Sequence, residues 1–225
     1  IVSSKAAVVL YDDFEDGTLN TSIWTNTSGG SGIVSESGGQ LKLQANGGYY
    51  TNRGGVISKS VATLQAGQTV VWSSTWMESQ EWAADNYWGL VDNYATFNNV
   101  IRLGTSSSDS KWLCIWMRKD GGAWQKMVLH DPRYIENGWT LEWSENRVVV
   151  TSAVWGVKFD SADPTKNGGI SWNIPDVGKC MYFFAEAQSH SNWIKFNDMT
   201  LEVIPEPATI VMLGLSSLGL FTRKR

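Results

Sequence analysis

The sequence predicts an all-β protein, a sandwich of two sheets followed by a single hydrophobic helix at the C-terminus. Three observations predict it. A dozen short runs read as strands, Gly- or Ser-rich breaks separate many of them, and no long amphipathic helical pattern occurs before residue 205. Each sheet must bury one face, so this many strands without helices imply two sheets packed together. Composition agrees: among 225 residues, 42% are hydrophobic, with 13 Trp and 22 Gly, a mixture that favours strands and turns.

The expected strands, in order, are Val8–Phe14, Gln40–Ala45, Gly55–Ser60, Gln68–Glu78, Tyr87–Asp92 and Val100–Gly104. Lys111–Arg118, Ala123–Leu129, Trp139–Trp143, Arg147–Ala153, Lys179–Gln188 and Asn192–Ile204 complete the set. Breaks fall at Ser28–Gly32, Asn46–Gly48, Thr105–Ser110, Asp120–Gly122 and Lys166–Gly169. Residues 1–7 end in small side chains and read as a remnant beside a signal-peptide cleavage site. Residues 8–204 form the body and 205–225 a separate tail.

The tail has three parts. Pro205, Glu206 and Pro207 stop the last strand, because proline cannot donate to a ladder. Ala208–Phe221 is apolar and uncharged, and Arg223, Lys224 and Arg225 close the chain. Positive charge beside an apolar segment stays cytoplasmic, which predicts an exported body and an internal end. As a helix the 14 apolar residues span only about 21 Å, short against a hydrocarbon core of about 30 Å. The segment suits a processed signal better than a permanent anchor. In this order at the chain's end, the three parts resemble the PEP-CTERM sorting signal of Gram-negative bacteria. That resemblance implies recognition of Pro-Glu-Pro by an exosortase in the inner membrane, and an association with exopolysaccharide. It covers the tail and leaves the body's activity open.

In the body, Asp12-Asp13-Phe14-Glu15-Asp16-Gly17-Thr18-Leu19-Asn20 leads to Trp24, Ser37-Gly38-Gly39-Gln40-Leu41-Lys42-Leu43 follows, and Asn197-Asp198-Met199-Thr200-Leu201-Glu202-Val203 closes. These runs resemble concanavalin A-like lectin/glucanase jelly rolls, in which the closing strand commonly lies beside the opening one. Phe14 and Trp24 are expected in the core that locks the sandwich ends. Asp12, Asp13 and Asp16 either cap a turn, the favoured reading, or line a calcium site. No other cofactor or metal is expected.

The catalytic relatives in that fold, family 16 glycoside hydrolases, carry E-x-D-x-E on one strand, where alternation aligns the carboxylates. This chain has no such run. Glu78/Glu81 and Glu142/Glu145 are spaced by three, which puts the members of each pair on opposite faces of a regular strand. His130 and His190 are isolated and read as surface residues. Whether the chain is an enzyme is left open, with the reading inclined against it. Net charge is −4, and no basic stripe exists to neutralise phosphates, so nucleic acid is not an expected partner. Cys114 and Cys180 lack zinc spacing; a disulfide and two free thiols are both open.

Alternation places Val70, Trp72, Ser74, Trp76 and Glu78 on one face, Trp112, Cys114, Trp116 and Arg118 on another, and Tyr182, Phe184, Glu186, Gln188 and His190 on a third. Trp72, Trp112 and Trp116 are expected to fill the gap between sheets. A sugar site needs an aromatic platform with fixed amides and carboxylates. Trp76, Glu78, Trp82, Asn86, Trp88 and Gln188 are the expected carbohydrate contacts. The leading function is therefore a non-catalytic, polysaccharide-binding protein of the envelope or extracellular matrix, reached through the inner membrane. A glycoside hydrolase or lyase with carboxylates on separate strands, and a structural matrix protein without small ligand, are the alternatives.

Overall fold

Alternation in the sequence becomes sixteen β-strands and no helix among the residues that the computed structural model describes, namely 6–47, 51–80, 85–105, 112–129, 137–188 and 191–205. Sheet A runs β13 (Gly156–Asp160), β12 (Arg147–Ser152), β11 (Asn137–Ser144), β6 (Gln68–Ser79), β15 (Trp193–Phe196), β4 (Leu41–Gln44) and β3 (Ile33–Glu36). In it β16 (Met199–Pro205) also pairs with β6 and carries β1 (Ala7–Asp12) on its other side. Sheet B runs β10 (Gln125–Val128), β9 (Leu113–Arg118), β8 (Val100–Thr105), β7 (Asn86–Val91), β14 (Cys180–Gln188), β5 (Arg53–Thr63) and β2 (Trp24–Asn26). Closing and opening strands do lie side by side, with Ala7 opposite Val203 and Asp12 opposite Met199.

The two sheets meet through rings. Trp72 of sheet A stacks on Phe183 of sheet B at 5.2 Å and 9°. Trp24 meets the same Phe183 edge-on at 6.0 Å, and Phe14 lies 6.3 Å from Trp24. All four are buried in one cluster with Leu41, Leu43, Trp88 and Trp143. Each such ring removes roughly 150–250 Å² from water, worth about 4–6 kcal/mol at most. The Trp24 indole N–H is not left unpaired: it donates to Asp12 Oδ2 at 2.7 Å, while Asp12 Oδ1 accepts the Phe14 N–H at 3.1 Å. Asp13 and Asp16 likewise accept N–H groups two residues on. Among the described residues no group of three or more His, Cys, Asp or Glu is arranged to hold a metal ion.

Of four register shifts among the described strand pairs, two fall in the central strands β6 and β5. In β6 the register shifts between the pairs Trp139–Ser74 and Asn137–Met77, and Asp198 steps in: its Oδ1 accepts the Thr75 N–H at 2.6 Å and the Ser74 hydroxyl at 3.3 Å. Asp198 sits where β15 ends and β16 begins, so the expected single strand Asn192–Ile204 is two strands hinged at the bulge. The extra residue reverses facing. Trp72, Ser74, Met77 and Ser79 point inward, and Trp76 and Glu78 point out, which corrects the expectation of one shared face. In β5 the break falls beside Ser58, whose hydroxyl accepts the Phe183 N–H and donates to Ser60 O. The short strands β2, β3 and β13 were not expected from pattern.

Of the two readings left open for Cys114 and Cys180, the structure has the free thiols, Cys114 buried and Cys180 exposed. Cys114 lies on β9 and Cys180 on β14, with β8 and β7 between them. Three strand spacings are about 14 Å, twice what a disulfide spans. Glu206–Arg225, including the expected C-terminal helix and five of the six tail residues named above, lies outside the described residues.

Glu36 is buried at the end of β3 near the Asp12–Asn20 turn. Burial first, then the adjoining Asp16 carboxyl and the Asp12 charge, push its pKa from 4.5 up to about 7. A carboxyl raised by folding supports stability fully below pH 4.5 and withdraws that support as pH rises through about 7. Glu36→Gln should therefore leave the melting temperature near wild type in acid and raise it near pH 8. A loss of equal size at both pH values would contradict this.

Candidate functional site

Strand β14 alternates cleanly, and that decides where chemistry sits. Met181, Phe183, Ala185 and Ala187 enter the inter-sheet core, so Tyr182, Phe184, Glu186 and Gln188 stand on the outer face of sheet B. The register carries this face across six strands. One row reads Ile57, Phe184, Gly89, Arg102, Trp116, Lys126; the next reads Gly55, Glu186, Tyr87, Gly104, Cys114, Val128. A separate buried cluster forms here from Tyr87, Val91, Val100, Cys114, Trp116 and Phe184. Gly104 makes room for the Tyr87 ring; a Cβ there would lie 2.7 Å from Tyr87 Cδ1 and 2.0 Å from Asn86 O.

The turn between β7 and β8 adds two rings to that floor. Asp92 clamps Asn99 through bonds of 2.9 and 2.7 Å, and the short loop folds Tyr94 and Phe97 back over Phe184 at 5.8 and 5.4 Å. The Tyr94 hydroxyl donates to Glu186 Oε2, and Gln188 Nε2 donates to Oε1 at 2.5 Å. Tyr87 OH donates to Asp85 Oδ1 at 3.0 Å. Glu186 is 1% exposed. Burial raises its pKa, against the lowering effects of Tyr94, Arg102, Arg53 and Gln188. Burial also raises Tyr87 and Tyr94 well above the usual phenol range.

Cations line the same face. The Arg102 guanidinium lies 4.0 Å from the Tyr87 ring centroid, 4.6 Å from Trp124 and 5.2 Å from Trp116. Arg53 covers Tyr94 at 5.2 Å, Lys126 covers Trp116 at 5.3 Å, and Arg118 covers Trp124 at 5.6 Å. The face thus offers partly open aromatic and cationic surface over a floor with two buried carboxyls, Glu186 and Asp85.

Of the expected carbohydrate contacts among the described residues, Gln188 alone belongs to this face. Trp88 is fully buried between the sheets, and Asn86 is fully buried with its amide donating to Trp193 O and accepting from Asn192. Both lie at the start of β7, so both residues are corrected to structural roles. Trp76 and Glu78 stand on the outer face of sheet A, where Glu78 pairs with Lys195 at 3.1 Å beside Trp193. Trp82, Glu81, His130 and His190 lie outside the described residues. Trp116 faces outward, not into the gap, and Trp112 is 37% exposed; Trp72 is where the pattern put it. The faces Cys114–Trp116–Arg118 and Tyr182–Gln188 were legible, whereas Tyr94 and Phe97 come from a turn that carries no periodic signal, and Trp124, expected inside the strand Ala123–Leu129, stands just before β10. A shallow groove on sheet A, lined by Ser73, Thr75, Thr140 and Thr151, holds no ionisable side chain.

Residues 203–225 match the PEP-CTERM protein-sorting motif. The chain carries that signal. No curated protein matches the sequence. Among solved structures, a β-1,3-glucanase from Mycobacterium marinum is similar at TM-score 0.60 and 12% identity, over 87% of this chain and 98% of the other. An immunostimulatory antigen and pseudo-β-1,3-glucanase of Mycobacterium tuberculosis matches at TM-score 0.59 and 12% identity, over 88% and 99%. A cellulose-induced protein matches at 0.60 and 15%, over 85% and 96%. At such identity these likenesses show the fold alone, a jelly-roll sandwich of the glucanase/lectin type.

The Tyr94 hydroxyl lowers the Glu186 pKa by bonding its charged form. Tyr94→Phe should raise that pKa further, read as an upward move of the Glu186 carboxyl resonance midpoint in an NMR titration. An unmoved midpoint would remove this hydrogen bond from the site.

Proposed function

We propose that this is an exported protein of the cell envelope or extracellular matrix, whose sandwich binds polysaccharide on the outer face of sheet B without cleaving it. The observation that carries the reading is the set of rings, cations and fixed amide around Glu186 and Arg102. Sugars present flat C–H faces bordered by hydroxyls, so a ring for stacking and oriented donors and acceptors beside it form the minimum site. Trp124, 41% exposed, supplies the platform, and Gln188, Tyr94 and Arg53 supply polar edges.

Support for a non-catalytic role comes from the carboxylates. Glycoside cleavage uses two, flanking the bond as acid and as nucleophile or base. On this face Glu186 has both oxygens engaged by Tyr94 and Gln188, and Asp85 is bonded to Tyr87. One observation favours a second reading, hydrolysis: burial raises Glu186, as a general acid requires. The similar folds include both a glucanase and a pseudo-glucanase, so fold alone is compatible with either.

The sorting motif supports delivery through the inner membrane, with an exosortase-type enzyme acting at Pro205–Pro207 and the apolar segment serving as a transient membrane stage.

Two measurements test this. In glycan retention by the full-length protein, Trp124→Ala should weaken binding at least about tenfold, roughly 1.4 kcal/mol, and Trp76→Ala on the opposite sheet should not. The reverse pattern would move the site to sheet A, and reducing-sugar release lost in Glu186→Gln would select hydrolysis. Deleting Pro205–Pro207 should leave uncut protein at the inner membrane; normal processing without them would end the exosortase reading.

A further inference from the structure

Among the described arginines, three guanidinium groups are hydrogen-bonded by the protein. Arg53 Nε donates to Thr27 O at 3.2 Å, and Arg118 donates to Gly121 O and Gly122 O, each at 2.8 Å. Arg147 grips Asp160 with two parallel bonds, Nε to Oδ1 at 3.0 Å and Nη2 to Oδ2 at 2.6 Å. Arg102 is different. Its Nε is buried without a partner, and no hydrogen bond or ion pair joins its guanidinium to any described residue. Rings hold it instead, Tyr87 at 4.0 Å and Trp124 at 4.6 Å.

A guanidinium carries five N–H donors in a rigid fork, and stacking against rings satisfies none of them. An apolar side chain would fill the same place without that cost. The two carboxyls whose charge acts on it, Glu186 and Asp85, are engaged elsewhere: Tyr94 and Gln188 hold the two oxygens of Glu186, and the Tyr87 hydroxyl donates to Asp85. The fork is therefore fixed in position and left for an acceptor from outside. Its surroundings match: Arg53, Arg118 and Lys126 share the face, on a chain whose net charge is −4.

We propose that the polysaccharide bound on this face is a polyuronate, and that Arg102 receives the carboxylate of one uronic acid residue. The inference rests on the polysaccharide-binding reading above and adds the substrate class. A planar carboxylate from outside fits the Nη edge of the fork with two parallel bonds, since the Nε edge, which Arg147 uses toward Asp160, is buried in Arg102. Trp124, stacked on Arg102, would lie beneath the same sugar and tie ring contact to charge contact.

The test uses the full-length protein in mild detergent and affinity electrophoresis against polygalacturonate, alginate and hyaluronan. Each is paired with its carboxyl-reduced, neutral form; dextran sulfate serves as the sulfate source. At least one native polyuronate should bind about tenfold or more tighter than its reduced form, and less tightly as salt rises. Arg102→Met should abolish that preference, and Arg102→Lys, a point charge without the fork, should recover only part of it. Equal binding of native and reduced polymers through Trp124 would overturn the uronate assignment and leave polysaccharide binding standing. Arg102-dependent retention of dextran sulfate alone would also overturn it, in favour of sulfate. No retention of any polymer would end both readings. The native-against-reduced comparison on wild-type protein decides the matter even if Arg102→Met fails to fold.

Discussion

Everything on the outer face of sheet B depends on the contact that holds the sheets together, Trp72 stacked on Phe183. Phe183 is the inward residue between Tyr182 and Phe184, so fixing its ring fixes the parity of β14. Once Phe183 faces Trp72, Phe184, Glu186 and Gln188 cannot face anywhere but outward. Trp24 and Phe14 brace the stack, and Asp12 satisfies the indole N–H that would otherwise be buried unpaired. Residues far from the outer face thus set its geometry, through packing alone.

The second constraint is that both central bulges are closed by side chains. A bulge leaves a backbone group without its ladder partner, and a buried orphan is costly. Asp198 takes the Thr75 N–H in sheet A, and Ser58 takes the Phe183 N–H in sheet B. The first lets one long strand bond β16 along one half and β15 along the other, so the chain's end meets its beginning. The second sits directly behind the stacked ring and lets β5 follow β14 through a change of register. Both devices keep the core aligned where plain alternation would fail.

These same features decide what could be read in advance. Period-two alternation gave the twelve long runs, and the opening and closing runs implied the pairing that is found. Strands of three to five residues in polar text, β2, β3 and β13, carry too few alternations to register. The Trp76 and Glu78 assignment failed because one inserted residue reverses parity, and sequence shows no mark of it beyond Asn197-Asp198, which lies far off in the chain. Asn86 and Trp88 failed for a different reason: an amide and an indole close together in the sequence suit a sugar site, yet β7 is central and buried on both faces. Gln188 stands on the face that alternation gives it because β14 is regular from Tyr182 outward.

Arg102 was invisible for an instructive reason. In Val100-Ile101-Arg102-Leu103-Gly104 a lone arginine reads as the solvated position of a half-buried strand. The structure puts aromatic rings from three other segments around it: Tyr87 from β7, Trp116 from β9 and Trp124 from the turn before β10. Burial lowers its pKa, though an arginine has so far to fall that it stays charged. A charge held among rings, with its donors unspent, is an arrangement that folding alone does not favour. Glu186 sharpens the point, since its charge acts on Arg102 yet its two oxygens are bonded to Tyr94 and Gln188. The proposed recognition surface rests on that unspent fork, supported by the same sheet whose inner face holds the sandwich shut.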